Sequence, residues 1–354
     1  MSRPGSGGGL LVLGDVVTDV VARHASALAH GTDTAARIRT LPGGAGANVA
    51  CWAALCGCAD VRLLARAGAE SAEWHREALE RAGVRALLAV DRDVPTATVI
   101  ALVDAAAERT FLTDSGAAPR LAVEDFSPSM LDGVGRLHIS GYLLFAATSR
   151  ATALRALRTA VERGVPVSVD PASAGFLAEL GPGRFLDFVG GAELLLPNQD
   201  EARLLTGLSE PEAAAAALSR RFPRVAVTAG ARGAVLAAGG SVTCRVPALP
   251  VTEPVDSTGA GDAFTGGLLA ALLAGADHAT AAALGCRAAA TAVTTVGGRP
   301  PPGSLPPPAP GPTREPRPEP PRPTRERRPP PAGTARAPWR PRTCPGAPDA
   351  GHPA

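Results

Sequence analysis

The sequence predicts an α/β domain whose largely parallel sheet is covered by helices on both faces, and three observations carry that expectation. From residue 134 onward, short apolar runs at 137–140, 165–169, 193–196 and 224–228 alternate with helical stretches, among them 149–163 and 198–206. A further apolar run near the start, 10–13, stops at Gly14-Asp15, as a buried first strand does. Two long stretches, 260–274 and 277–294, are apolar on nearly every face and are expected as buried helices closing the domain.

The remaining elements follow in chain order. Residues 1–9 form a Gly/Ser-rich leader expected to be disordered. A polar, partly alternating stretch at 34–41 precedes Pro42, and Gly43-Gly44-Ala45-Gly46 opens an Ala-rich helix over 47–55. Residues 61–65 read as a buried strand and 71–82 as a helix capped by Ser71. Residues 96–103 and 108–113 form an antiparallel pair turned at 104–107. Beyond Gly298 the character changes, because residues 301–354 hold 20 of the 35 Pro, a density that no helix or sheet ladder survives. This tail reads as a disordered extension, with a Pro-rich partner ligand or an out-of-frame translation as alternatives.

Composition narrows the chemistry. The net charge of +2 is too small to suggest a nucleic-acid or membrane partner. All 35 basic residues are Arg, so Schiff-base chemistry and a P-loop lysine are excluded, and phosphate contacts must come from backbone N–H groups, Arg or a metal. The six Cys include no CxxC pair, and the six His form no ligand pair, which speaks against zinc. The N-terminal apolar run is too short for a signal peptide or membrane span, so a cytoplasmic protein with free thiols is expected.

The strongest chemical signal is Val255-Asp256-Ser257-Thr258-Gly259-Ala260-Gly261-Asp262-Ala263-Phe264 at the head of the 260–274 helix. Two glycines let the backbone turn tightly there, and the exposed amides with the positive end of the helix dipole make an anion site. Such a site can hold a transferring phosphoryl group, and a carboxylate in the first turn, Asp262, can take a proton from an attacking hydroxyl. The same pattern is also compatible with a plain Gly-rich helix start whose acid complements the dipole.

The decapeptide resembles the DTxGAGDxF signature of the ribokinase-like carbohydrate kinase family (PfkB family), with Ser257 where the family often has Thr. A second family motif, a Gly-Gly pair with a downstream Asn, stands near the N-terminus as Gly43-Gly44-Ala45-Gly46-Ala47-Asn48. The resemblance spans about residues 10–300. It implies a ribokinase-like three-layer α/β/α domain with a small β lid from about 34–41 and 96–113, followed by the disordered tail. It further implies ATP with Mg²⁺, and K⁺ as an added cation.

Residue by residue, the resemblance implies that Asp262 is the base, with Gly259, Ala260 and Gly261 forming the anion hole. Asp19, in a strand and turn running from Gly14, would bind the substrate together with Gly43, Gly44 and Asn48. Asn198 of Leu196-Pro197-Asn198-Gln199-Asp200-Glu201 would lie near the nucleotide, and Glu201 would organise Mg²⁺ through water. Thr228, Gly230 and Gly233 resemble the nucleotide turn, and Asp256 with Thr258 would hold a monovalent cation. Bland alternatives stand beside these readings: a turn cap for Asp19, a loop for Gly43 and Gly44, local capping by Asn48, an N-capped surface helix at 198–201 and an ordinary hairpin at 228–233. Arg109 lies on the lid, within reach of a substrate or simply solvated. The family's polar residues after the final Gly pair are replaced by Arg299-Pro300-Pro301, which bears on the cation site.

Three functions are therefore in view. The first is an ATP-dependent kinase of a sugar or sugar-like alcohol. The second is a nucleoside kinase of the same family, its base packed on Trp52, Phe111 or Tyr142. The third is a non-catalytic binding protein on the kinase fold, recruiting a partner through its tail. The resemblance also suggests a homodimer formed through the lid.

Overall fold

The computed structural model describes residues 7–105 and 109–301, with only the backbone of Arg109. The readings of the leader through residue 6, of the turn at 106–108, of the Arg109 side chain and of the tail from 302 fall outside the described residues. The strands are β1 (Gly9–Leu13), β2 (Val17–His24), β3 (Ala36–Gly43), β4 (Val61–Gly68), β5 (Val84–Asp91), β6 (Ala97–Val103), β7 (Arg109–Asp114), β8 (Val134–Ser140), β9 (Val167–Asp170), β10 (Leu194–Leu195), β11 (Arg224–Thr228), β12 (Ala234–Ala238) and β13 (Ser241–Val246). The helices are α1 (Ala45–Leu55), α2 (Ala72–Arg81), α3 (Ala147–Glu162), α4 (Ala174–Leu180), α5 (Pro182–Phe188), α6 (Gln199–Thr206), α7 (Pro211–Leu218), α8 (Ala260–Leu273) and α9 (His278–Ala292).

Nine strands form the main sheet in the order β13-β12-β11-β10-β9-β8-β1-β4-β5. It is parallel from β11 through β5, and the β11–β12–β13 edge is antiparallel. The chain builds outward from β1 through β4 to β5, then resumes on the other side of β1 with β8. The strand order therefore reverses between β1 and β8, and in open α/β sheets the cleft outside the carboxyl ends at such a reversal is where ligands bind. Five chain segments end on that edge: Asp15 after β1, Gly141-Tyr142 after β8, Asp170 in β9, Asn198 after β10 and Thr228 in β11.

Burial explains the strand sequences. All five β1 residues are buried, as an apolar run covered on both faces requires. Leu11 and Leu13 face one apolar core, with α3, α6 and α7, while Leu10 and Val12 face the other, with α1, α8 and α9. The alternation of side chains along a strand thus divides one run between two layers.

A separate four-stranded sheet, β3-β2-β6-β7, makes the lid. Its strands β3, β6 and β7 fall in the expected segments. The sequence reading missed β2, which pairs antiparallel with β3 and parallel with β6. Asp19 is accordingly a lid-strand residue rather than the end of a turn after β1. Register sorts the lid faces: Val21, Ala101 and Val103 pack inward with Leu41 and Val296, and Ile38 and Leu112 are exposed on the opposite face.

Two helix expectations need correction. Ser71 stands before α2 but makes no side-chain cap; its hydroxyl bonds Glu70 Oε1 at 3.0 Å and Thr96 Oγ1 at 2.6 Å, tying the helix start to the lid. Helix α8 is buried along Ala263–Ala271, but α9 buries only one face, because its other face lies at the surface of the layer. The pair Gly266-Gly267 lets α8 pack closely on two sides. A Cβ on Gly266 would lie 2.7 Å from Trp52 Cβ and from the Val49 carbonyl oxygen in α1, and one on Gly267 would meet Ala288 of α9 at 3.1 Å.

Backbone cannot yield as a flexible side chain would, so Gly266→Ala is expected to destabilise the fold by roughly 1–3 kcal/mol. Gly183 in α5 has open space at its Cβ, so Gly183→Ala is expected to be neutral or to stabilise by about 0.5 kcal/mol. Urea midpoints of the two variants against wild type check the contrast.

Candidate active site

The site begins with glycine contacts that bring distant segments together. A Cβ on Gly14, after β1, would lie 2.6 Å from Gly46 Cα in α1. Gly44 caps α1 with φ 100°, a left-handed conformation that glycine adopts without strain. The Asp15 carboxylate then accepts the first amides of that helix, Ala45 N at 3.2 Å and Gly46 N at 3.0 Å. Asp15 therefore pins the Gly43-Gly44 loop through the unsatisfied end of α1.

At the other end of the chain, Gly259 caps α8 in the left-handed region, φ 74°. The first-turn amides of an α-helix have no intrahelical acceptors, so those at Gly261 and Asp262 are available to a ligand. No atom lies within 4 Å of where a Gly261 Cβ would sit, so this turn faces open space. Asn48 of α1 donates from Nδ2 to Asp262 Oδ2 at 2.8 Å, joining the two motifs across 214 residues. Asn48 Oδ1 is buried with no hydrogen-bond partner.

A cavity of about 510 Å³ opens at this junction, lined by Asp19, Gly44, Asn48, Glu201, Thr258, Gly259 and Asp262 among others. Lid residues Val99, Phe111 and Thr113 and the aromatic rings of Tyr142 and Phe176 form its apolar wall. Tyr142 meets Phe176 edge-on at 6.1 Å, and Phe176 stacks on Phe145 at 5.4 Å. A second cavity of about 630 Å³ is lined by Thr228, Gly230, Gly233, Ala260, Gly261 and Phe264, with an apolar wall from Leu249 to Val251. The two cavities share Thr228 and Gly261 and so meet at the start of α8.

The sequence-derived residues fall around these two spaces, with differences in detail. Gly43 does not line the first cavity; the Asp19 carboxylate lies directly over it, filling the place a side chain would take. Asn198 and Glu201 realise the N-cap alternative as well: Asn198 Oδ1 accepts the Asp200 and Glu201 amides at 2.9 Å, and Glu201 Oε2 accepts Asn198 N at 2.9 Å. Yet both line the cavity, and Glu201 is buried rather than solvated. Thr228, Gly230 and Gly233 do form a β11–β12 hairpin turn, with Gly233 forced by the passing Val246 carbonyl, and the turn borders the second cavity. Asp256 ties its own loop: its oxygens accept Thr258 N at 2.7 Å and Gly297 N at 3.0 Å. Trp52 is fully buried, its indole donating to the Gly298 carbonyl at 2.9 Å, so it is a core residue and not a wall for a nucleoside base.

Three residues escaped the sequence reading. Asp170 ends β9 in the first cavity, and it accepts the amide of Ala172 at 2.7 Å. Ala172 holds φ 72°, the single positive-φ non-glycine among the described residues. The signal available for Asp170 was its place at a strand's carboxyl end. Asp15 likewise follows β1, and Arg299 reaches back to the lid, donating to the Gly43 carbonyl at 2.9 Å.

Electrostatics distinguish this cleft from an ordinary surface. Burial raises the pKa of Asp15, Asp19, Asp170, Glu201 and Asp262, and repulsion from neighbouring carboxylates adds to it at Asp19, Glu201 and Asp262. For Asp262 the value is well above the usual carboxylate range, first from burial, then from Asp170, Asp15 and Asp19, against the Asn48 hydrogen bond that lowers it. Asp19 is pushed up to about 7, with Arg299 pulling it down. Burial raises both Asp170 and Glu201, and Asp170 raises Glu201 further, leaving a concentration of negative charge that a divalent cation would relieve. Among the described residues no group of three or more His, Cys, Asp or Glu side chains is arranged to hold a metal by itself. That fits Mg²⁺, which takes one or two carboxylates and completes its shell with water and phosphate oxygens.

Two cavities meeting at a helix N-terminus, with a buried carboxylate on one side, are an arrangement that a small-molecule kinase requires. The family model of pfkB family carbohydrate kinases matches residues 9–303, and the chain belongs to that family. It is 33% identical over 279 residues to a fructokinase of Klebsiella pneumoniae, covering 75% of this chain and 85% of that protein. Among solved structures, adenosine kinase from Sinorhizobium meliloti superposes with TM-score 0.75 at 22% identity, covering 83% of this chain and 96% of that one. A putative ribokinase II from E. coli in complex with ATP and Mg²⁺ superposes with TM-score 0.72 at 22% identity, over 82% and 94% of the chains. The fold is thus the ribokinase-like α/β fold. No described helix is long and apolar enough to cross a membrane.

An acid whose folded pKa exceeds its unfolded one costs the fold nothing below about pH 4 and progressively more as pH rises through the folded value. Asp19, at about 7, is such a group. Asp19→Asn is therefore expected to be near neutral in stability at about pH 4 and to stabilise by up to about 4 kcal/mol at pH 8. Urea unfolding at the two pH values reads the difference, and equal effects at both would contradict the assignment.

Proposed function

We propose that the protein, through its domain of residues 10–300, transfers the γ-phosphoryl group of ATP to a hydroxyl of a sugar or sugar-like alcohol. The observation that carries this reading is the shared boundary of the two cavities at Gly261 and Thr228, with Asp262 and Asn48 on the acceptor side. An acceptor in the first cavity would be oriented by Asp19, the Gly43-Gly44 backbone and Asn48, whose unpartnered Oδ1 suits a hydroxyl donor. ATP would occupy the second cavity, its adenine against the Leu249–Val251 wall and its phosphates at the α8 amides.

Asp262 would accept the proton of the attacking hydroxyl. Burial raises its pKa, which makes the ionised carboxylate a stronger proton acceptor. The Gly259, Ala260 and Gly261 backbone would stabilise the charge that spreads over the transferring phosphoryl oxygens. Glu201 and Asp170, both on the first cavity, would hold Mg²⁺ through water, and that ion would supply neutralisation of the nucleotide's phosphate charge. Asp256 and Thr258 would hold a monovalent cation such as K⁺, reinforcing a loop that Asp256 already ties to Gly297. The lid would exclude water and so suppress hydrolysis of ATP.

A nucleoside acceptor is the second reading, favoured by the Phe111, Tyr142 and Phe176 rings on the first cavity. An ATP-consumption panel with fructose, other ketoses and aldoses, and adenosine and inosine separates the two readings. Asp262→Asn is expected to lower kcat by roughly 10²–10⁴-fold while leaving ATP affinity within about threefold. Full turnover in that variant would end Asp262's role as base.

The lid also offers a surface for a second copy of this chain. Ile38 is 66% exposed and Leu112 is 55% exposed, and the register aligns them with the outward-facing Val20, Ile100 and Leu102. We expect light-scattering mass to report a dimer that Ile38→Asp converts to monomer; an unchanged mass in that variant would remove the lid from the interface.

A further inference from the structure

We propose that Arg299 is a positioning residue of the acceptor site, holding the Gly43 carbonyl and standing as a fixed counter-charge behind the Asp19 carboxylate without touching the acceptor. The inference rests on the reading of Asp19 and the Gly43-Gly44 loop as the acceptor-binding groups.

Arg299 follows the Gly297-Gly298 pair, where the backbone is wedged among three parts of the site. A Cβ on Gly259 would overlap Gly298, and one on Gly298 would overlap the Asn48 amide. Trp52 Nε1 fixes the Gly298 carbonyl at 2.9 Å, and Asp256 fixes the Gly297 amide at 3.0 Å. The segment therefore cannot shift without disturbing α1, α8 or both. From this anchored point the Arg299 side chain runs under the lid and donates through Nη2 to Gly43 O at 2.9 Å. Its Nε and Nη1 are sealed from solvent and have no hydrogen-bond partner.

Arg299 does not line the acceptor cavity. Its influence reaches the cavity through two groups. One is Gly43, whose carbonyl it holds from behind while the Asp19 carboxylate covers the same residue. The other is Asp19 itself, which Asp15 and Asp256 push toward protonation, while Arg299 favours its charged form. Asp262 on α8 adds a further negative charge to the same cleft, and it is itself raised by Asp19. Arg299 also acts on Asp15 and lowers the pKa of His75 on α2, so its field spans the base of the lid. Two unmade hydrogen bonds at a buried guanidinium are costly to the fold, and retaining the group there is what a charge needed for ligand binding would require.

The test uses Arg299→Met, which keeps most of the bulk and deletes the charge and the donor, with Arg299→Lys as the charge-preserving control. Fructose and adenosine serve as acceptor probes. Arg299→Met is expected to raise acceptor KM about tenfold at pH 7, with ATP KM within about twofold. The deficit should shrink toward pH 9, where Asp19 ionises unaided, and Arg299→Lys should recover part of it. In an Asp19→Asn background, Arg299→Met should raise acceptor KM by clearly less than about tenfold, the remainder being the part carried by its hold on the Gly43 carbonyl. A readout independent of turnover is the carboxyl ¹³C titration of Asp19, expected to move to higher pH in Arg299→Met and to stay near wild type in Arg299→Lys.

An Asp19 titration unchanged in Arg299→Met, equal increases in both KM values, or full additivity with Asp19→Asn would each overturn the proposal. If Arg299→Met fails to fold, the Asp19 titration and the KM split in Arg299→Lys and Arg299→Gln decide instead. If the wild type turns over ATP with no acceptor, the kinase reading falls, and the Asp19 titration still decides the role of Arg299.

Discussion

The Asn48–Asp262 hydrogen bond is the interaction around which the site is organised. It joins the first turn of one helix near the start of the domain to the first turn of another near its end. It forms only because backbone segments approach more closely than side chains allow: Gly14 against Gly46, Gly259 against Gly298, and Gly266 against α1. Each contact removes a Cβ that would hold two elements apart. The consequence is that two helix N-termini open on one cleft at the point where the strand order reverses, the α1 amides taken by Asp15 and the Gly261 and Asp262 amides of α8 left for a ligand. A helix end is the cheapest anion site a fold can offer, because its donors are already oriented and desolvated by the helix itself.

That convergence creates an electrostatic problem. Asp15, Asp19, Asp170, Glu201 and Asp262 all line the acceptor cavity, and each is raised by burial. Part of the charge is absorbed locally, Asp15 by the α1 amides, Glu201 by the Asn198 amide and Asp262 by the Asn48 amide. What remains is unfavourable in the free protein. It becomes favourable only when cations or hydroxyl donors arrive, which is the condition of a site whose stability has been exchanged for binding. Arg299 offsets part of this repulsion, favouring the charged forms of Asp15 and Asp19.

The sequence disclosed the layers more readily than the edges. Strands buried on both faces, such as β1 and β11, are short apolar runs and were legible as such. The lid strand β2 was not, because Val17–His24 mixes apolar and polar residues and follows β1 after only three residues, so it reads as a continuation of the first strand. The antiparallel edge β12–β13 was likewise hidden, its Ala-rich and alternating stretches lacking a distinctive period. At the site, the glycine motifs carried their own explanation, since a positive φ or a forbidden Cβ is a local demand. Asp170 and Arg299 are single residues placed by the tertiary fold, and their local sequence offers only weak marks, a strand's carboxyl end for Asp170 and the position after Gly297-Gly298 for Arg299.

The aromatic wall bears on why the alternatives for the acceptor remain chemically close. Asp19, Asn48 and the Gly43-Gly44 backbone offer hydrogen-bonding groups of the kind a polyhydroxy ring requires, whether or not that ring carries a base. Discrimination must then come from the far side, where Phe111 enters from the lid and Tyr142 and Phe176 from the ends of β8 and β9. Phe111 is 51% exposed and sits on a sheet that packs inward through a small cluster of Val21, Ala101 and Val103. A lid joined to the domain by so small an apolar cluster would close as a unit and carry Phe111 with it. An acceptor with a flat apolar face would be gripped from both sides on closure, whereas a bare sugar would rely on Asp19 and the loop behind it. On the proposed reading, the fixed polar groups would govern whether a hydroxyl is aligned with Asp262, and the aromatic groups would govern which molecule carries that hydroxyl.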